Sequence, residues 1–331
     1  MSAPQYPCYS VAIRTLGTAG EKYLRTLQAC AAQTVQPRRI LVYIPHGYAL
    51  PAQTIGCEEY VRCEKGMIAQ RSLPFDEIDT DFILFLDDDL DFPADLAERL
   101  FDAMERHGSQ LASPAIYENE KGSLKQKIKW AVLMQTLPHR DSRFAYKIRR
   151  SGHYSYNNRP TAASLPSQSC AGACMMISRR AYDAIHFADE RWLDHMPYAL
   201  GEDQLFAYKA YRYGFNPCVV YDSGIVHLDA GSGTRRDPAR NHYVSEFVRT
   251  LLWYRSIYTA APSAAGRLAA VAAFAASKAF DIAMAIPYSL VKRSLFPIKN
   301  IVRGGYDALS FIAGRKFGDT PPYMAHKPRY D

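Results

Sequence analysis

Several common signatures are missing from this sequence. Its seven cysteines (Cys8, Cys30, Cys57, Cys63, Cys170, Cys174 and Cys218) are odd in number and form no Cys-x-x-Cys pair. That argues against a disulfide framework and a zinc site, and reads as thiols kept in a reducing compartment. The opening residues lack the basic-then-apolar order of a secretory leader, so the cytoplasm is the expected location. The most span-like apolar stretch, Leu268 to Ser277, is ten residues between Arg267 and Lys278. A bilayer crossing needs ~20, so no transmembrane helix is predicted. There is no internal repeat and no long low-complexity tract.

What is present describes a folded protein. With 331 residues, 48% hydrophobic and 22% charged, the chain can form one large or two ordinary domains. Its 40 basic and 33 acidic residues leave +7 overall, but 15 basic and 6 acidic residues fall within 235–331. That third carries +9 and leaves −2 for the rest, so a nearly neutral body is followed by a cationic tail.

The first 116 residues alternate strand and helix patterns. Strands are expected at Tyr9 to Arg14, Arg39 to Ile44, Tyr60 to Cys63, Asp81 to Leu86 and Gln110 to Tyr117. Helices are expected at Glu21 to Gln33, Gly66 to Ile78 and Pro93 to His107. This alternation predicts an α/β fold with a mostly parallel sheet, and such sheets bind ligands beyond the carboxyl ends of their strands. From Asn119 to Ser169 the periodicity fails in a basic insertion (Lys121, Lys125, Lys127, Lys129, Lys147, Arg149, Arg150). Order returns at Cys174 to Ser178, then at helices Arg179 to Ile185 and Glu202 to Tyr213 and strands Pro217 to Tyr221 and Ile225 to His227, before an almost wholly helical tail.

Three places carry chemistry. Asp87-Asp88-Asp89 directly follows the apolar strand, where three carboxylates repel one another and a divalent cation would hold them; a solvated acidic turn is the plain alternative. Glu202 and Asp203 open a helix, where acidic residues complement the dipole and where an ionised carboxylate is also suited to act as a base. His227 ends a short strand, either as an ordinary surface or core histidine or as a ligand.

In order along the chain, these elements resemble family 2 of the glycosyltransferases, with the nucleotide-sugar-binding fold called GT-A. The resemblance covers about Tyr9 to Leu228. It rests on the opening strand with Thr15 and Gly17, on Gln33 to Pro37, on Phe82 to Asp89 as the D-x-D element, on Ala171 to Arg179, on Gly201-Glu202-Asp203 as the E-D element, and on the strand ending at His227. The resemblance implies Asp87 and Asp89 as holders of a metal (Mn²⁺ or Mg²⁺) and of the donor diphosphate, with His227 a further ligand. It implies Asp203 as the base acting on the acceptor hydroxyl and Glu202 as an acceptor contact. Arg71, Thr15, Gly17, Asp88 and Gly172 fall on the donor side. Trp192, before the E-D element, is either a platform for a sugar ring or a core residue. The sequence departs from the family after the second strand, where Pro45-His46-Gly47-Tyr48 replaces an acidic element that meets the base and ribose.

The implied partners are a nucleotide sugar and a saccharide or polyprenyl-linked acceptor. A nucleotidyltransferase would need a glycine-rich, basic first loop with a nearby lysine, which Leu16 to Gly20 lacks; a degenerate saccharide-binding or scaffold protein is the non-enzymatic alternative. Residues 1–234 read as the catalytic domain and 235–331 as a helical extension. On a helix from Arg267, Lys278 and Asp281 lie within ~40° of that residue and leave the remainder apolar, with a break or kink expected at Pro287. The pattern suits an anchor on an anionic membrane surface at the inner face of the cell membrane, or a subdomain packed on the body or a second subunit. Nucleic acid is not expected, because the tail's aromatics sit among apolar residues rather than among lysine and arginine.

Overall fold

The computed structural model describes residues 6–116, 123–132, 134–196, 200–228 and 238–326. In chain order the elements are β1 (Tyr9–Arg14), α1 (Glu21–Ala31), β2 (Ile40–Pro45), β3 (Glu58–Cys63), β4 (Phe82–Asp87), β5 (Leu90–Asp91), α2 (Leu96–His107), β6 (Leu111–Pro114), α3 (Leu124–Val132), β7 (Tyr146–Ile148), β8 (Tyr154–Tyr156), β9 (Ser164–Pro166), β10 (Cys174–Ser178), α4 (Arg179–Ile185), α5 (Glu202–Arg212), β11 (Cys218–Val220), β12 (Val226–His227), α6 (Pro238–Trp253), α7 (Ala264–Lys292) and α8 (Phe296–Ile312).

Eight strands form one mostly parallel sheet in the order β3-β2-β1-β4-β10-β6-β11-β9. Its central strands are continuous apolar runs because helices cover both faces, and Val11, Ile13, Leu41, Val42, Ile83 and Leu84 are fully buried. The expected α/β architecture with C-terminal helices is the one the chain adopts. β1 lies between β2 and β4 and is parallel to both, so three carboxyl ends open on the same edge.

Three expectations are corrected. Residues 66–78 form turns rather than a full helix: i→i−4 bonds close only at Gln70 and Ser72, and Pro74 with the left-handed φ of Phe75 (51°) ends them. The Asp194 carboxylate accepts from the Ile68 and Ala69 amides (2.9 and 3.0 Å), capping this turn, which carries the buried Arg71. The insertion is partly regular: β7 and β8 form a hairpin, and β9 pairs with β11 to close the edge of the main sheet. Lys121 and the 234/235 boundary lie outside the described residues.

The third correction concerns the tail. α7 runs 29 residues and passes Pro287 unbroken. Over Ala264–Val291 it is long and apolar enough to cross a membrane by length and composition, with 17% of that window buried. Lys278 and Asp281 do not end the apolar run because both are paired across to α6: Lys278 with Glu246, and Asp281 with Arg249 at 2.7 Å.

The C-terminal helices share the body's core, in which Phe247, Leu251 and Ala308 pack with Phe206 and Trp192. A buried ion cluster reinforces the junction. Arg255 grips both oxygens of Glu190 (2.8 and 2.9 Å), Lys209 of α5 adds a third contact at 3.1 Å, and the Trp192 indole a fourth at 2.7 Å. Burial alone would favour the neutral acid at Glu190, but these donors hold its titration below the ordinary range. Glu190→Ala would leave two buried cations without their carboxylate, and we expect a loss of about 3–5 kcal/mol in urea unfolding. A loss below 1 kcal/mol would show that water compensates the cluster.

Candidate active site

The site begins with a register. In the parallel pair β1 and β4, Arg14 stands beside Asp87, the last residue of each strand. The Arg14 Nε donates to Asp87 Oδ1 at 2.6 Å, and its Nη2 donates to Glu202 Oε1 at 3.1 Å. Arg71 enters from the turns at 66–71. Its Nη2 donates to the Gly172 carbonyl at 2.7 Å, and its Nη1 lies 3.4 Å from the same Glu202 oxygen. Two guanidiniums thus sit between the carboxylates of β4 and α5.

Each titration reflects this crowding. Burial opposes the charged form of Asp87, but Arg14 and then Arg71 pull its carboxyl below the usual range. Arg71 is lowered by burial and by Arg14, while Arg14 is driven up despite burial by Asp87 and Glu202. Asp203 moves the other way: burial, then the neighbouring Glu202 charge, push it up to about 7. Its Oδ1 accepts from the Gln204 amide (2.8 Å) and its Oδ2 from the Gly172 amide (3.2 Å). Gly172 is required here by close approach, since a Cβ on it would lie 2.5 Å from that of Asp203 and 3.0 Å from Arg71 Nη1.

A second cluster lies alongside. The short pair β5 and β12 sets His227 opposite Leu90, and the His227 Nε2 comes within 3.1 Å of Asp89 Oδ1. Asp87, Asp89 and His227 each offer one ligand atom, and the three atoms lie within 4.8 Å of one another. Two hard carboxylate oxygens with one imidazole nitrogen fit a divalent cation such as Mn²⁺ or Mg²⁺. Asp88 turns away from this set. The Thr15 hydroxyl donates to it and itself accepts from the Gly17 amide at 2.8 Å. Burial raises Asp88, and the charges of Asp89 and Asp87 add to the rise over the opposing Thr15 bond. Gly17 holds a φ of 78°, and a Cβ there would lie 2.4 Å from the Ala49 carbonyl, so the first loop closes against the segment after β2.

Residues 54–185 match the family described as glycosyl transferase family 2. A comparison with curated proteins gives no match. Over that stretch, 132 of 331 residues, the chain is similar to family 2 of the glycosyltransferases. The matched stretch contains Arg71, Asp87, Asp88, Asp89 and Gly172; Arg14, Thr15, Gly17, Glu202, Asp203 and His227 lie outside it and are brought beside them by the fold.

Ten of the eleven expected site residues lie in these two linked clusters, and one does not. Trp192 is 3% exposed, donates to Glu190 and packs edge-on against Phe317 at 4.9 Å, so it has no face to offer a sugar. Its aromatic surface is spent joining the tail to the body. Sequence reading also missed two residues. Arg14 was legible only through strand pairing, as a base at the carboxyl end of the strand beside the D-x-D strand. Asp194, which shapes the turn carrying Arg71, left no local signal.

The electrostatics predict opposite shifts. Glu202→Gln removes the like charge and brings Asp203 below its midpoint of about 7, whereas Arg14→Met removes a favourable cation and takes it above. Carboxyl-carbon NMR titration measures both, and identical midpoints in the two variants would contradict this coupling.

Proposed function

We propose that the protein is an inverting glycosyltransferase that moves a hexose-like sugar from a nucleotide-sugar donor to a hydroxyl of a saccharide or lipid-linked saccharide. Its proposed setting is bacterial envelope polysaccharide synthesis at the inner face of the cell membrane. The observation that carries this reading is the meeting, at the ends of β1 and β4, of a metal-competent Asp87–Asp89–His227 set with a carboxylate, Asp203, whose titration lies at neutrality. Residues 1–234 would form the catalytic domain and 235–331 the extension that holds it at the membrane.

In this reading the acceptor oxygen attacks the anomeric carbon from the face opposite the diphosphate. The new C–O bond forms as the bond to the diphosphate oxygen breaks, the electron pair leaves with the diphosphate, and the hydroxyl proton passes to an oxygen of Asp203. Glu202 contacts the acceptor and keeps the Asp203 proton affinity high. Arg14 and Arg71 offset the charges of Asp87 and Glu202 beneath the donor phosphates. Thr15, Gly17 and Asp88 form the nucleotide-side loop, and the Gly172 backbone borders the sugar. Bound at Asp87, Asp89 and His227, Mn²⁺ or Mg²⁺ would supply charge compensation for the departing diphosphate.

Two predictions test it. Transfer should rise with pH through about 7 and level off above it, because Asp203 accepts a proton only when ionised. Asp203→Asn should lower transfer about 10²- to 10⁴-fold while donor affinity, read by calorimetry across a nucleotide-sugar panel, is kept. Near wild-type turnover in that variant would remove Asp203 from the mechanism. Separately, chelation of divalent cations and Asp89→Ala should each weaken donor binding and transfer together. Activity indifferent to both would mean that the acidic set holds no metal.

A further inference from the structure

The helix α7 is amphipathic the wrong way round for a helix facing water. Its charged pair, Lys278 and Asp281, points inward and is neutralised by Glu246 and Arg249 on α6, and Ala270, Ser277, Ala285 and Ser289 are buried on the same side. The side facing away from the body is apolar. Twelve of the seventeen large apolar side chains that are exposed among the described residues lie on α7, α8 and the short link between them, with Leu268, Leu290, Val291 and Leu295 each more than 70% exposed. A face of this kind is far larger than the scattered apolar residues of an ordinary soluble surface.

Two further features say what covers it. An open groove of about 310 Å³ between the end of α7 and the start of α8 is lined by Ile286, Leu290, Leu295 and Ile298, with Arg293 at the same site. Arg293 holds a left-handed φ of 48°, a conformation that favours glycine, and so keeps a guanidinium beside an apolar slot. Exposed cations follow at Lys299, Arg315 and Lys316, with Arg303 paired to Asp307 of its own helix at 3.5 Å. A second copy of the chain seated symmetrically on this face would bring its own copy of that cationic fringe alongside, against charge. An anionic surface would not.

We infer that α7 and α8 form a wedge lying in the plane of an anionic phospholipid bilayer, with the groove beside Arg293 seating an acyl chain and the fringe resting on headgroup phosphates. The buried charges of α7 favour lying in the plane over crossing, because a crossing would tear the Lys278 and Asp281 pairs from α6 along the middle of the helix. This deepens the proposed function and rests on its membrane-borne acceptor; it replaces the expected cationic stripe of Arg267 and Lys278 with a surface on the opposite side of the helix.

Flotation of the full chain with vesicles tests it. Binding is expected to phosphatidylglycerol-containing vesicles, with weak binding to pure phosphatidylcholine. The double variant Leu290→Asp with Val291→Asp should abolish flotation. Arg293→Gly should lower binding to the anionic vesicles about fivefold, the loss expected for one surface cation, while leaving the melting temperature unchanged or higher, because glycine suits that φ. A structural role for Arg293 would instead lower the melting temperature and spare binding. Absence of flotation with anionic vesicles would overturn the inference, as would a dimer in solution that the double aspartate variant dissociates. Donor hydrolysis and transfer to a water-soluble acceptor, assayed without vesicles, report on the catalytic reading separately: flotation without turnover would count against transfer and support the wedge.

Discussion

Two guanidiniums among three carboxylates set the terms for the whole site. Arg14 and Arg71 are held where Asp87, Glu202 and Asp203 converge, and both reach Asp87 and Glu202. The charges do not balance: one carboxylate is in excess in a space largely shielded from water. Asp203 is pushed up to about 7 by burial first and by the neighbouring Glu202 charge second, against the pull of Arg71 and Arg14. The raised titration of Asp203 is therefore a product of the arrangement rather than of its own identity. Glu202 sits one residue away, takes the arginine contacts, and leaves Asp203 with amide donors alone.

Much of this was legible from the sequence, and for a definable reason. The D-x-D and E-D elements and His227 follow buried strands or open a helix, and such boundaries are marked locally by the end of an apolar run. The central strands are recognisable because burial on both faces forces uninterrupted apolar residues. What escaped depended on tertiary partners. Residues 66–78 have helical spacing, but the short turn they form before Pro74 and Phe75 end it is held by Asp194, more than a hundred residues away. Arg14 is an ordinary strand-end residue until β4 is placed beside it. Trp192 is equally plausible on a sugar or in a core until Phe317 arrives from the tail.

The tail shows a deeper limit of pattern reading. A helical wheel separates a polar stripe from an apolar one, but it does not say which stripe faces the protein. The usual assumption puts charge toward solvent. Here Glu246 and Arg249 supply matching charges on α6, so the polar stripe is the buried one and the apolar stripe is left outside. The choice is decided by residues twenty or more positions upstream, which the stripe itself does not contain.

The same helix that reverses α7 also touches the candidate site. Gly201, immediately before Glu202 and Asp203, adopts a φ of 87°, and a Cβ there would lie 2.9 Å from Leu252 and 3.1 Å from Val248 of α6. α6 thus abuts the start of α5 through Val248 and Leu252 and grips α7 through Glu246 and Arg249. The orientation of the apolar wedge relative to Asp203 is therefore fixed by one continuous helix rather than by a flexible linker. A bilayer lying against α7 would hold the crevice at a set height and tilt, which is the geometric condition for taking a hydroxyl from an acceptor tethered in that bilayer. Charge pairing across α6 and close packing at Gly201 thus join the apolar face of α7 to the helix start that carries Asp203.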